Sequence, residues 1–342
     1  MVIPNHNKEK TIRACLTAVY AQTHTPAEVV VVDDASTDRS RQIVADFDCT
    51  LVAFPVNRGV SAARNAGAAR AGGDVLFFVD SDIALAPDAL AVALRTLREH
   101  PACGVVQGIY DLHPLYADGP VESYKTLFEH FWRRRDAGLA TSTMFALTAV
   151  PRSVFELVGG FDERLRDAED IEFGTRLPAS YEIRTSAQMV GRHDDVDRLW
   201  PYVSELFRRA LTYADAVVLA RRAPRPVPEA PPDGRAPHRV DRASVAGLLG
   251  SALAVATVPL VVVSPWLLLV PLGLLTVFLV ADRELLAFAL RQRGPAFLLY
   301  ATAMRFLTHL TEFAGLSIGV GRSLLRRLRP GETRPAALGA RR

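Results

Sequence analysis

Residues 243–281 contain no Asp, Glu, Lys or Arg, and this run of 39 positions restricts the possible folds more than any other feature. A spanning helix needs about 20 apolar residues, so the run is long enough to cross a bilayer twice as a tight hairpin. Ser264-Pro265-Trp266, near its middle, supplies a turn. The competing reading is a helical hairpin buried in a soluble core, but charge-free runs of this length are rare outside membranes. Arg235, Arg239 and Arg242 precede the run, Arg283, Arg291 and Arg293 follow it, and its turn carries no Lys or Arg. The positive-inside rule then places both ends in the cytoplasm, as in a multi-pass protein of the cell membrane.

The rest of the 342 residues suits one globular domain with additions. The expected division is 1–222 as that domain, 223–242 as a Pro-rich linker, 243–281 as the hairpin, and 282–342 as an amphipathic interfacial helix or third span with a basic tail. Arg305, His309 and Glu312 weaken a third span, while Arg322 to Arg329 suit anionic headgroups. Cys15, Cys49 and Cys103 are widely spaced and read as reduced core residues, with no metal or disulfide pattern. No cleavable signal peptide is recognisable, and the first strand starts almost at Met1, so it is either short or begins upstream.

The first half alternates apolar runs with helical periodicity. Val2–Pro4, 27–36, 49–55 and 75–80 read as strands, separated by helices over 8–22, 38–47 and 59–71. This order predicts an α/β fold with a mixed, mostly parallel sheet, in which ligands bind beyond the carboxyl ends of the strands. Residues 84–140 read as helix and loops. A strand, a helix and a Gly-Gly turn follow over 143–165, then an acidic helix start at 167–177, a polar stretch, and a helix from about Val196.

Polar clusters fall at the strand ends. Asp80 and Asp82 leave a buried strand one residue apart, where their repulsion is relieved if a divalent cation sits beside them. Hard oxygen ligands select Mn²⁺ or Mg²⁺, ions that also bind substrate phosphates; a solvated turn is the plainer alternative. Asp33 or Asp34 can accept hydrogen bonds from a base or ribose, and Arg64 and Asn65 start a helix suited to phosphate or ribose contacts. Glu169, Asp170 and Glu172 offer a general base, or simply complement a helix dipole. His193 is a candidate third metal ligand or a surface residue. No early strand is followed by G-x-G-x-x-G or a P-loop, which argues against a dinucleotide fold.

Together "VIPNHN", "EVVVVDDASTD", "NRGVSAARNAG", "GGDVLFFVDSD", "GGFDERL" and "AEDIEFGTRL" stand in an order that resembles the family 2 inverting glycosyltransferases of GT-A fold, over about residues 1–200. The resemblance implies a nucleotide pocket lined by Pro4, Asn5, Asn7, Asp33 and Asp34, with Arg64 near the nucleotide and phosphates. It implies that Asp80 lies near the ribose and sugar, that Asp82 is the more direct metal ligand, and that His193 completes the metal site. Asp170, beside Glu169, matches the catalytic base. No Gln-x-x-Arg-Trp follows, so one transfer per binding event is expected. The implied partners are a nucleotide-diphosphate sugar, a lipid or glycan acceptor and the membrane, in cell-envelope glycan biosynthesis; no nucleic acid is expected. A catalytically silent binding or assembly module and a nucleotidyltransferase are the alternatives.

Overall fold

The computed structural model describes residues 1–165, 167–220 and 242–328, which fall into two units. Met1–Asp197 makes the first, and the described residues from Arg198 onward make the second. The Pro-rich stretch expected as a linker, through residue 241, and the tail beyond residue 328 lie outside the described residues.

In the first unit β1 (Val2–Asn5), β2 (Val30–Asp33), β3 (Thr50–Ala53) and β4 (Val75–Val79) alternate with α1 (Ile12–Tyr20), α2 (Ser40–Val44) and α3 (Val60–Arg70). The four strands are parallel neighbours in the order β3-β2-β1-β4. Successive residues feed opposite faces. Ile3, Val31, Phe77 and Val79 pack in one apolar cluster with Ile12 and Leu16 of α1. Val2, Val30, Val32 and Phe78 pack in the other with Ala62 and Ala63 of α3. Helices cover both faces, so these strands must be apolar at consecutive positions, and their first polar side chains appear only at the carboxyl ends.

Among the described residues nine further elements follow: β5 (Ile83–Leu85), α4 (Ala89–Glu99), β6 (Cys103–Tyr110), α5 (Pro120–Arg135), β7 (Gly138–Ala140), β8 (Leu147–Pro151), α6 (Arg152–Val158), α7 (Glu169–Arg176) and β9 (Glu182–His193). The sheet continues β4-β8-β6-β9-β5, with β7 paired to β9. β8 runs antiparallel to β4 and β6, β6 and β9 are parallel, and β5 and β7 run antiparallel to β9. The mixed α/β sheet is as expected, but β6 and β9 lie where the sequence pattern gave helix, loop or an unassigned polar stretch. Gly108 disguises β6. A Cβ there would stand 2.3 Å from the Met189 carbonyl oxygen and 2.5 Å from Leu147 Cδ1, so strand packing itself requires glycine.

The second unit contains α8 (Leu199–Ala220), α9 (Arg242–Thr257), α10 (Leu269–Ala281) and α11 (Arg283–Leu328), the last broken at Gly294 with φ +81°. Two 3₁₀ turns, Val258–Val262 and Pro265–Leu268, join α9 to α10. Gly247, Gly250, Ser251 and Ala254 form the buried face of α9. A Cβ on Gly247 would lie 2.7 Å from His309 Cε1, so small residues let the helices approach closely. Arg305 and His309, which had counted against a third span, are 4% and 1% exposed and lie against Asp282 within this unit. The tip is apolar and open, with Val262 91% and Trp266 82% exposed. By length and composition Arg242–Val262 can cross a membrane, and Pro265–Ala281 with Arg283–Ser323 qualifies only as a pair bent by 66°.

Candidate active site

The ends of β1 and β2 form one wall. Asn5 Nδ2 donates to Asp33 Oδ1 at 2.9 Å and to Ser36 Oγ at 3.2 Å. Asp34 accepts the Arg58 and Gly59 amides at 2.6 and 2.8 Å, folding the turn that starts α3. Asn7, at φ +51°, accepts the Thr37 amide at 2.8 Å. Pro4 is buried in β1 opposite Val32. Pro4, Asn5, Asn7, Asp33 and Asp34 are thus brought to one edge. Asp33 and Asp34, at 0% and 4% exposure, brace this wall from within.

Arg64 is buried at the centre. Its Nη2 meets Asp80 Oδ1 at 2.9 Å and the Phe145 carbonyl at 3.2 Å, and its Nη1 meets Glu169 Oε1 at 2.8 Å. Phe78, Phe145, Phe155, Phe161 and Phe173 pack together beneath it, and the guanidinium lies 5.5 Å from the Phe161 ring centre. This apolar floor leaves the cation no water, so the two carboxylates hold it in place. Both amino groups are occupied, and Arg64 therefore acts on the site through Asp80 and Glu169. Burial and the adjacent Asp82 charge push the Asp80 carboxyl up, against the pull of Arg64.

Register brings the metal candidates together. Ile83 pairs with His193 across β5 and β9, and the Asp194 amide donates to the Asp82 carbonyl at 3.0 Å. Asp82 Oδ1 and His193 Nε2 thereby face each other at 3.6 Å, while Asp82 Oδ2 accepts Lys8 Nζ at 2.7 Å. His193 Nδ1 lies 3.3 Å from Asp195 Oδ2, and Lys125 Nζ holds Asp195 Oδ1 at 2.7 Å. The imidazole stacks on Tyr110, ring centres 4.6 Å apart. Burial opposes the charge on both groups but is outweighed: Asp195 and Asp82 push His193 up to about 10, and His193 with Lys8 holds Asp82 well below the carboxylate range.

Asp82 Oδ1 and His193 Nδ1 are buried without a hydrogen-bond partner. An orphaned carboxylate oxygen facing a ring nitrogen, with Asp80 alongside, is a donor set that fits a small hard cation. Such an ion would replace the Lys8 ammonium at Asp82 and the proton on His193, since neutral imidazole is the ligating form.

Asp170 opens α7 after Ala168, whose φ of +60° turns the chain sharply into the helix. Thr143 Oγ1 donates to the Asp170 carbonyl. A Cβ on Gly174 would lie 2.6 Å from that same Oγ1, so glycine allows α7 to seat on the 143–147 segment. Burial first, then the Glu169 charge, raises the Asp170 carboxyl. A carboxylate above its ordinary range is a better proton acceptor.

Residues 1–147 match the family model described as glycosyl transferase family 2. Over these residues the first unit matches a family 2 glycosyltransferase domain. An uncharacterized glycosyltransferase of Haemophilus influenzae is 26% identical over 191 residues, covering 52% of this chain and 60% of its own length. Validoxylamine A glucosyltransferase of Streptomyces hygroscopicus subsp. limoneus is 31% identical over 215 residues, 52% of this chain and 47% of that protein. The chain thus spans about half the length of these curated relatives. A mannosyltransferase of Pyrobaculum calidifontis, solved with GDP-Man and Mn²⁺, superposes with a TM-score of 0.55 at 23% identity, covering 95% of this chain and 86% of that one. At that identity the likeness speaks for the shared GT-A fold.

The first unit also assembles residues that sequence reasoning passed over. Lys8, Tyr110, Lys125 and Asp195 surround Asp82 and His193. Asp118, Glu122 and Asp194 place ligand atoms within 4.8 Å of one another, and Lys10 already bonds both Asp118 and Asp194. Only the "HDD" run at 193–195 hinted at this density of charge.

Proposed function

We propose that this protein transfers one sugar per binding event from a nucleotide-diphosphate sugar to an acceptor hydroxyl, with inversion and with Mn²⁺ or Mg²⁺. The observation that carries the reading is the buried bridge Asp80–Arg64–Glu169. It ties the Asp82–His193 edge, suited to a metal and a diphosphate, to the helix start that presents Asp170.

Asp82 and His193 would hold the ion, with Asp80 beside the ribose and sugar. The ion, when bound, offsets negative charge on the departing diphosphate. Asp170 takes the proton of the incoming hydroxyl as its oxygen attacks the anomeric carbon from the face opposite the leaving group. Single displacement on an oxocarbenium-like centre gives inversion. Arg64 keeps Asp80 ionised and Glu169 fixed, so the carboxylate nearest the sugar favours positive charge there. Pro4, Asn5, Asn7, Asp33 and Asp34 shape the nucleotide wall.

The charge-free run, its exposed apolar tip and the arginines at its ends support a cell-membrane location with the catalytic unit on the cytoplasmic side. A lipid or lipid-linked glycan is the acceptor that such an arrangement meets. Purified protein with Mn²⁺, a panel of nucleotide sugars and membrane extract, followed by product mass, tests the whole reading. A nucleoside diphosphate product that disappears in Asp82→Ala is expected. Pyrophosphate release from a nucleoside triphosphate would instead mark a nucleotidyltransferase, and inactivity without nucleotide binding a silent module.

A further inference from the structure

Most cations around the site are held by carboxylates. Lys8 sits on Asp82, Lys10 on Asp118 and Asp194, Lys125 on Asp195, and Arg64 on Asp80 and Glu169. Arg133 of α5 is held by a carboxylate at one nitrogen only. Its Nε donates to Glu129 at 2.9 Å, but its Nη1 finds only Met144 Sδ at 3.0 Å, a weak acceptor, and its Nη2 hydrogen-bonds to none of the described residues. The side chain is nevertheless only 15% exposed. A guanidinium mostly withdrawn from water with both amino groups short of a strong acceptor is a costly arrangement that an anion would complete.

Its neighbours place it between the two ends of the site. The guanidinium carbon lies 4.2 Å from the centre of the Tyr110 ring, the ring on which His193 stacks. On the other side Met144 follows Thr143, whose hydroxyl donates to the Asp170 carbonyl. Arg133 is thus one ring away from the metal-ligand candidate and, through Met144 and Thr143, beside the segment that seats the candidate base, the region where the bond between sugar and phosphate lies if the glycosyltransferase reading holds.

We propose that Arg133 binds the diphosphate of the donor through its two amino groups and retains the nucleoside diphosphate as the sugar departs. The inference rests on the glycosyltransferase reading and gives Arg133 the phosphate contact that the family resemblance had assigned to Arg64. In the step it serves, the bond from the anomeric carbon to the terminal phosphate oxygen breaks and its electron pair stays on phosphate. The acceptor oxygen forms the new bond, and its proton passes to Asp170. The guanidinium meets the charge that appears on the leaving phosphate.

The test is calorimetric titration of the full-length protein in detergent with Mn²⁺, using UDP and UMP, and GDP and GMP. Arg133→Ala is expected to weaken the diphosphate that wild type prefers by about 10- to 100-fold, the worth of a charge-assisted contact, and to leave its monophosphate nearly unaltered. Arg133→Lys should recover part of the loss. Arg133→Met, which keeps the stem over Tyr110, should behave like Ala, so loss of packing is read separately. Equal diphosphate binding in wild type and Arg133→Met overturns the proposal, as does a parallel loss for mono- and diphosphate. So does unchanged nucleotide binding beside a raised acceptor KM in steady-state rates of the same variants, which would make Arg133 an acceptor contact. If wild type binds none of the four nucleotides, the glycosyltransferase reading falls, and the inference with it.

Discussion

Two clusters of buried charge, one in each unit, are built from the same residue types and differ in what they leave open. In the helical unit Arg305 Nε meets Asp282 Oδ1 at 2.7 Å, His309 lies 3.5 Å from the other carboxylate oxygen, and Ser251 closes the ring at 3.1 Å from His309 Nδ1. Arg305, Asp282 and His309 side chains are 4%, 4% and 1% exposed, and Gly247 packs directly on them. In the first unit Asp80, Asp82 and His193 keep 32%, 14% and 18% exposure, and Arg64 beneath them keeps 5%. The first cluster is closed to solvent, whereas the second keeps its carboxylates and imidazole partly exposed at the strand ends. Residue chemistry alone does not separate glue from catalyst; access does.

The contrast breaks most visibly at Asp170. Asp170→Asn should lower kcat by about 10²- to 10⁴-fold, the usual contribution of a general base, while nucleoside diphosphate binding persists. Steady-state rates beside calorimetric binding check this, and a variant that retains near-normal kcat would remove Asp170 from the chemistry. The closed cluster should fail through stability. Arg305→Met strands Asp282 in an apolar surrounding and should cost the helical unit about 3–5 kcal/mol, read as a lowered unfolding midpoint in detergent. Replacing both partners, Asp282→Leu with Arg305→Met, should restore most of that loss, because two apolar groups leave no charge unpaired. If the double variant is as unstable as the single one, the cluster does more than hold helices together.

How much of this was legible depended on burial and on sequence distance. β1, β2 and β4 showed as apolar runs because both their faces are covered, and the carboxylates at their ends marked the cleft. β9 did not, because its burial alternates and breaks near Gln188, and its register on β6 shifts between Gln107 and Ile109. A period-2 signal interrupted in this way looks like a polar loop. The motif around Arg64 singled out the residue but not its direction; the aromatic floor that turns it toward Asp80 and Glu169 is assembled from Phe145, Phe161 and Phe173, far along the chain. Lys8 and Tyr110 carried no local signal, Asp195 only its place in the "HDD" run, and Arg133 only its place in the basic, aromatic stretch "FWRRR" at 131–135. Lys8 reaches Asp82 across 74 residues, and Tyr110 reaches His193 only through the pairing of β6 with β9.

The gentlest probe of the open cluster is the pH dependence of turnover. Burial and the Glu169 charge both raise Asp170, so the base should lose its charge at a higher pH than an ordinary aspartate. Since catalysis needs the ionised form, kcat/KM should rise with pH through this raised value and fall away below it. Glu169→Gln removes one source of the shift and also frees Arg64 from its second carboxylate, and both changes favour the Asp170 anion. The ascending limb should therefore move to lower pH in Glu169→Gln, a smaller effect than any above. A limb that stays put would mean that Asp170 does not feel the bridge, and that Arg64 and Glu169 serve the fold of α7 alone.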